Sequence, residues 1–135
     1  MSVLVTDTGF GPDDWTGGFS APETGGAALD IGPETDLSAL GGRLDRARII
    51  RIRFASFADG RGFSIARELR LLGYAGRLRA SGHVLADQYA MARRSGFDEV
   101  EIDAALAARQ PEDQWLARSD WRANDYQARL GRRHA

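Results

Sequence analysis

At 135 residues, 43% hydrophobic and 27% charged with a net charge of −1, the chain has the composition of a soluble globular protein. Its length suits one domain with an ordinary core. The absence of cysteine excludes a disulfide, a thiolate nucleophile and a cysteine-ligated cluster, and two histidines fall short of a typical zinc site, so neither metal nor cofactor is expected. No apolar run approaches membrane-spanning length, and the start of the chain lacks the basic and apolar regions of a signal peptide, which makes the cytoplasm the expected location.

Residues 1–26 are rich in turn formers, among them Gly9, Gly11, Pro12, Gly17, Gly18, Pro22, Gly25 and Gly26. Apart from a short strand at Val3–Val5 they read as an irregular arm, pinned to the body by Trp15 and Phe19. A single α/β domain is expected over 27–135. It opens with a weak strand at 27–31, broken by Gly32-Pro33, and Asp36 can cap a helix from Leu37 to Arg46. The run Arg48-Ile49-Ile50-Arg51-Ile52-Arg53-Phe54 is the clearest strand. The loop Asp59-Gly60-Arg61-Gly62 then leads to a helix over 63–72, with Ser64 as a possible cap. The sequence continues with a strand at 77–80, the loop Ser81-Gly82-His83, a helix over 84–94 and a strand at 97–102. A last helix runs from Pro111 to about Trp121, and the tail to Ala135 can extend it.

Four strand–helix units in succession, with no Asn-Gly hairpin signal, predict an all-parallel sheet with right-handed crossovers. The strands alternate: Ile50, Ile52 and Phe54 with Arg51 and Arg53; Leu78 and Ala80 with Arg77 and Arg79; Val100 and Ile102 with Glu99 and Glu101. A period of two puts the apolar set on one face and the charged set on the other. The helices are then expected mainly on one face, as in half of a βα barrel; a small open three-layer α/β sheet is the alternative. The charged face can be a self-neutralising Arg–Glu ladder, a polar groove, or the surface through which two copies pair.

All 18 basic residues are arginine. Residues 1–45 carry a charge of −7 and residues 46–135 a charge of +6, which suggests an acidic N-terminal segment lying on a basic body. No basic stripe with interleaved aromatics appears, so nucleic acid is not an expected partner, and neither is a membrane. Ligands of parallel α/β folds gather outside the carboxyl ends of the strands, which makes the two glycine-bearing loops the candidate site. In the first loop, Asp59, Gly60, Arg61, Gly62 and Ser64 offer a guanidinium fork and a helix N-terminus to an anion, or a tight turn in which Asp59 pairs with Arg61. In the second, Ser81, Gly82 and His83 repeat that logic, with Arg79, Asp87 and Gln88 near enough in sequence to contribute. The spacing is not a dinucleotide fingerprint, because Ile65 stands where a third glycine belongs.

The stretches 57–67, 73–80, 82–88 and 94–98, with Asp120-Trp121 and Tyr126-Gln127-Ala128, resemble the bacterial domain-of-unknown-function family 934 over roughly residues 27–130. Members are commonly described as oxidoreductases involved in sulfite reduction and are typically encoded beside sulfate-assimilation enzymes. The resemblance therefore implies sulfur metabolism, with sulfite reductase or another enzyme of that pathway as partner, and it carries over no catalytic residue. The expected function is an accessory protein that binds a small oxyanion or such a partner at the strand ends. An enzyme acting on a small sulfur oxyanion and a structural homo-oligomer are the alternatives.

Overall fold

The computed structural model describes residues 2–15 and 17–122. Its centre is a six-stranded sheet in the order β2-β1-β6-β5-β4-β3, built from β1 (Ser2–Thr6), β2 (Gly9–Pro12), β3 (Ala28–Ile31), β4 (Ile49–Phe54), β5 (Arg77–Gly82) and β6 (Glu99–Asp103). Strands β3 to β6 are mutually parallel. The sheet as a whole is mixed, not all-parallel, because β1 pairs antiparallel with β6 and β2 with β1. Residues 2–12 thus form a hairpin on the sheet edge: β1 contains the short strand expected at Val3–Val5, and β2 stands where irregular chain was expected. Its turn at Asp7-Thr8 uses local side-chain chemistry instead of Asn-Gly, with Thr6 Oγ1 accepting from the Thr8 backbone N–H at 3.3 Å. Residues 123–135, including Tyr126, Gln127 and Ala128, lie outside the described residues.

The helices are α1 (Arg43–Arg46), α2 (Arg61–Leu71), α3 (Tyr89–Ser95), α4 (Ala104–Arg109) and α5 (Glu112–Leu116). Several differ from expectation. The 37–46 segment is a 3-10 turn at Leu37–Ala39 followed by the single turn of α1, with Gly41-Gly42 interrupting between them, although Asp36 does cap the first turn by accepting from Ser38 N. Helix α2 begins two residues before its predicted start. Its N-cap is Gly60, so Ser64 is not a cap and lies exposed within the helix. Helix α4 was not anticipated, and α5 is shorter than predicted.

Strands β3 to β6 are laid down sequentially, so each crossover steps the same way and the handedness rule sends every helix to one face. One apolar cluster results. Phe63, Ala66 and Leu69 of α2, Tyr89 and Ala92 of α3, Leu106 and Trp115 pack with Ile50, Ile52, Phe54, Leu78, Ala80, Val100 and Ile102 of the strands. Each large aliphatic side chain buried here contributes about 1.5–3 kcal/mol.

The opposite face is the charged one. Arg79 lies at its centre, fully buried, donating to Glu99 at 2.6 Å and to Glu101 at 2.9 Å. Arg77 forks onto Glu99 at 2.9 and 2.7 Å, and Arg51 bridges Asp30 at 2.9 Å and Glu101 at 3.4 Å. The expected ladder is present, but the chain itself covers it. Between β2 at one edge and β3 at the other, the connection crosses this face. Asp13 accepts from Arg79 at 2.9 Å, Asp14 from Arg77 at 2.7 Å, and the Phe19 ring lies 4.0 Å from the Arg51 guanidinium. Acidic N-terminal residues do lie on basic strands.

Asp7 holds the hairpin turn against α3 and the end of the described chain, accepting from the Tyr89 hydroxyl, from Arg93 at 3.1 and 3.2 Å, and from Trp121 Nε1 at 3.3 Å. Burial works against its charge, but these donors outweigh it and hold the carboxyl below its ordinary value. At Asp13 the order of effects is the same, with burial outweighed by the Trp15 backbone N–H and Arg79. Among the described residues no helix is long and apolar enough to cross a membrane.

Two stability predictions follow from these contacts. Arg79→Ala removes the buried partner that Glu99 and Glu101 share, leaving Glu99 to Arg77 and Glu101 to Arg51, and should cost about 3 kcal/mol in urea unfolding, whereas Arg118→Ala, which breaks an exposed pair with Asp87, should cost less than about 1 kcal/mol. Equal costs would show that Arg79 is not a keystone. Asp7 and Asp13 have folded-state pKa values below 3.8, so their stabilisation is complete above that value and is lost as pH falls through the lower folded values. The urea midpoint should therefore drop below about pH 4, and Asp7→Asn should flatten the drop; an unchanged profile would exclude Asp7 as a contributor.

Candidate functional site

The two candidate loops occupy equivalent places after β4 and β5 but have different chemistry. In the first, Arg61 Nε and Nη2 fork onto Asp59 at 2.9 and 2.8 Å, and the Asp59 carboxylate also accepts the Arg61 backbone N–H at 3.1 Å. The carboxylate therefore already takes the place at the start of α2 that an anion would occupy. Gly62 serves packing: a Cβ there would come 2.3 Å from Phe54 Cζ. Gly60 has open space around it. This loop is a self-satisfied turn.

The second loop opens into a cleft. Gly82 takes φ +104°, with the Phe54 carbonyl oxygen 2.8 Å from where a Cβ would stand, and this close approach lets His83 N–H donate to that carbonyl at 3.2 Å. His83 is exposed, its ring edge-on to Phe57 at 5.0 Å. Ser81, Gly82 and His83 line a cleft of about 160 Å³ at the carboxyl ends of β5 and β6, shared with Glu101, Asp103 and Arg109. Both acids are engaged. Glu101 is held by Arg79 and Arg51, and Asp103 caps α4 by accepting Leu106 N–H at 2.7 Å. Arg109, at the last turn of α4, makes no ion pair or side-chain hydrogen bond among the described residues.

The remaining candidates lie apart from the cleft. Arg79 belongs to the interior of the charged face. Asp87 is exposed and pairs with Arg118 at 2.9 Å. Gln88 is structural, accepting from Leu85 N–H and donating to the Phe57 carbonyl at 2.9 Å, which ties the two loops together. Sequence reasoning missed Arg109, Asp103 and Phe57. The signal for the first two was present: Asp103 followed by an alanine-rich run is an N-cap and helix start, which carries Arg109 back toward the strand ends. Among the described residues no group of carboxylates and histidines is arranged to hold a metal ion.

A mixed sheet with its helices on one face, a charged face covered by its own N-terminal segment and a small polar cleft at the strand ends define a compact class of α/β protein. The chain belongs to a family of bacterial proteins of unknown function, DUF934, whose model matches residues 28–135. The matched region begins at β3, so the hairpin and the covering segment both precede it. No curated protein matches the chain.

The role of Gly62 can be checked directly. Gly62→Ala forces a methyl against the Phe54 ring and should destabilise the fold by about 1–3 kcal/mol, while Gly60→Ala, with open space, should cost under about 1 kcal/mol. Thermal unfolding of the two variants decides; equal stability would remove the packing explanation.

Proposed function

We propose that the chain is an accessory protein of assimilatory sulfite reduction that binds a small oxyanion at the carboxyl ends of β5 and β6. The observation that carries this reading is the cleft beside His83 and Arg109. Its volume of about 160 Å³ is well below the roughly 300–1,000 Å³ of sites for larger organic ligands, yet ample for a tetrahedral or pyramidal oxyanion. A guanidinium is the side chain best shaped to fork onto such a group, and Arg109 has no acid holding it among the described residues. The cleft's two carboxylates are neutralised by Arg51 and Arg79 or committed to a helix cap, so they oppose an incoming anion less than free acids would.

The enzymatic alternative has less support. Nucleophilic or acid–base chemistry needs partnered groups within reach of one reacting atom. Of the sequence candidates only Ser81, Gly82 and His83 line the cleft. Asp59 and Arg61 neutralise each other, and Gln88 is committed to backbone. Association with a sulfite-reductase-pathway protein rests on the family resemblance and is testable by measuring sulfite reductase turnover with and without the chain.

Calorimetric titration with sulfite, sulfate and phosphate should show binding that Arg109→Ala weakens by about 1.5–3 kcal/mol, the worth of a charge-assisted contact. Arg61→Ala should bind as well as the unsubstituted chain. Absence of binding, or equal affinity in Arg109→Ala, would overturn the assignment.

A further inference from the structure

An open apolar surface lies on the helix side of the sheet, at the amino ends of β4 and β5. There Leu37, Leu44, Ala47, Leu72 and Tyr74 line a groove of about 550 Å³ between α1 and the end of α2. The Tyr74 hydroxyl already donates to the Ala47 carbonyl at 3.0 Å, so the ring adds no free polar group to the groove.

A knob stands on the lip of this groove. Leu71 and Leu72 are the most exposed large hydrophobic side chains among the described residues, at 81% and 58%. The way α2 ends holds them there. Gly73 takes φ +98°, its N–H donates to the Arg70 carbonyl at 3.0 Å, and the Tyr74 N–H donates to the Leu69 carbonyl at 3.0 Å. These two bonds close the helix and fold Tyr74 back onto the core with Leu69. Leu71, two residues beyond Leu69, is thereby fixed facing away from the sheet.

The charges beside the apolar patch come in complementary sets. Arg67 and Glu68 lie one turn before Leu71 and Leu72 on α2, and Asp45 and Arg46 lie on α1 across the groove. All four are exposed, and none makes an ion pair or side-chain hydrogen bond among the described residues. An acidic partner or a basic one would satisfy only half of them. A surface that carries knob and groove, and acid and base, on its two sides is complementary to itself.

We propose that the chain pairs with a second copy of itself through this surface, Leu71 of each copy entering the other's groove across a two-fold axis at the lip. The rotation exchanges the α2 side for the α1 side. It carries Arg67 toward the other copy's Asp45 and Glu68 toward its Arg46. The surface lies at the opposite ends of the strands from the oxyanion cleft, so pairing leaves the cleft open. Anion titration and molecular mass read the two separately.

The test is sedimentation equilibrium of the full chain at low salt, over concentrations reaching millimolar. The unsubstituted chain should show a monomer–dimer equilibrium. Leu71→Gln should raise the dissociation constant at least about tenfold, because a symmetric interface loses the same contact twice. Met91→Gln, at an exposed apolar position on α3, should leave it unchanged. Glu68→Arg and Arg46→Glu should each weaken pairing by setting like charges together twice. An equimolar mixture of these two variants should pair as well as the unsubstituted chain, since both contacts then join opposite charges. Circular dichroism melting establishes that each variant is folded; if Leu71→Gln is not, the charge-exchange series decides. A chain that stays monomeric at every concentration overturns the proposal. So does a dimer indifferent to Leu71→Gln, one that Met91→Gln weakens equally, or a mixture that pairs no better than its components.

Discussion

Arg79 is the constraint on which the rest of this structure depends. It sits in an inner strand of the parallel set, fully buried, and the carboxylates near it come from two other parts of the chain. Glu99 and Glu101 come from the neighbouring strand, and Asp13 and Asp14 from the segment that crosses between the sheet's two edges. A guanidinium is expensive to remove from water unless its fork is fully engaged. Here burial opposes the charge, and hydrogen bonds to Glu99, Glu101 and Asp13 outweigh it. The arrangement solves a problem set by the topology. Sequential right-handed crossovers place all helices on one face, and a parallel sheet does not ordinarily leave its other face bare.

The cover connects the architecture to the candidate site. Glu101 takes part in both, accepting from Arg79 and Arg51 on the inner face while lining the cleft beside Ser81 and His83. The same inner-face network that fixes the covering segment therefore quiets a carboxylate at the mouth of the strands. Without those arginines the cleft would hold an uncompensated acid and repel the class of ligand its geometry fits.

The two glycine-bearing loops show how similar local sequence reaches different ends. Both follow a strand and precede a helix. Asp59 stands two residues before Arg61 and closes the first loop on itself. The second has no acid at that position, and Gly82 turns the chain over the Phe54 carbonyl so that His83 faces the cleft. A larger concavity, about 550 Å³ between Leu37, Leu44, Leu72 and Tyr74, lies elsewhere, and its one hydroxyl-bearing ring is tied to the Ala47 carbonyl. Volume alone does not locate chemistry on this fold.

The sequence by itself determined the strands β4, β5 and β6, because alternation of isoleucine with arginine and of valine with glutamate is a local, period-two signal. From it follow the one-sided helices and the Arg–Glu ladder. The acidic cast of residues 1–45 likewise foretold which part of the chain would meet the arginines. What the tertiary structure decided was everything that depends on long-range pairing. The antiparallel hairpin is held by contacts such as Phe10 N–H to Glu112, 102 residues away, and its turn carries none of the usual dipeptides. Asp13 finds Arg79 across 66 residues. Arg109 reaches the cleft only because Asp103 starts a helix at once after β6. Such partners leave no periodicity in the sequence, since each is chosen by where the sheet's edges and the ends of its strands come to lie.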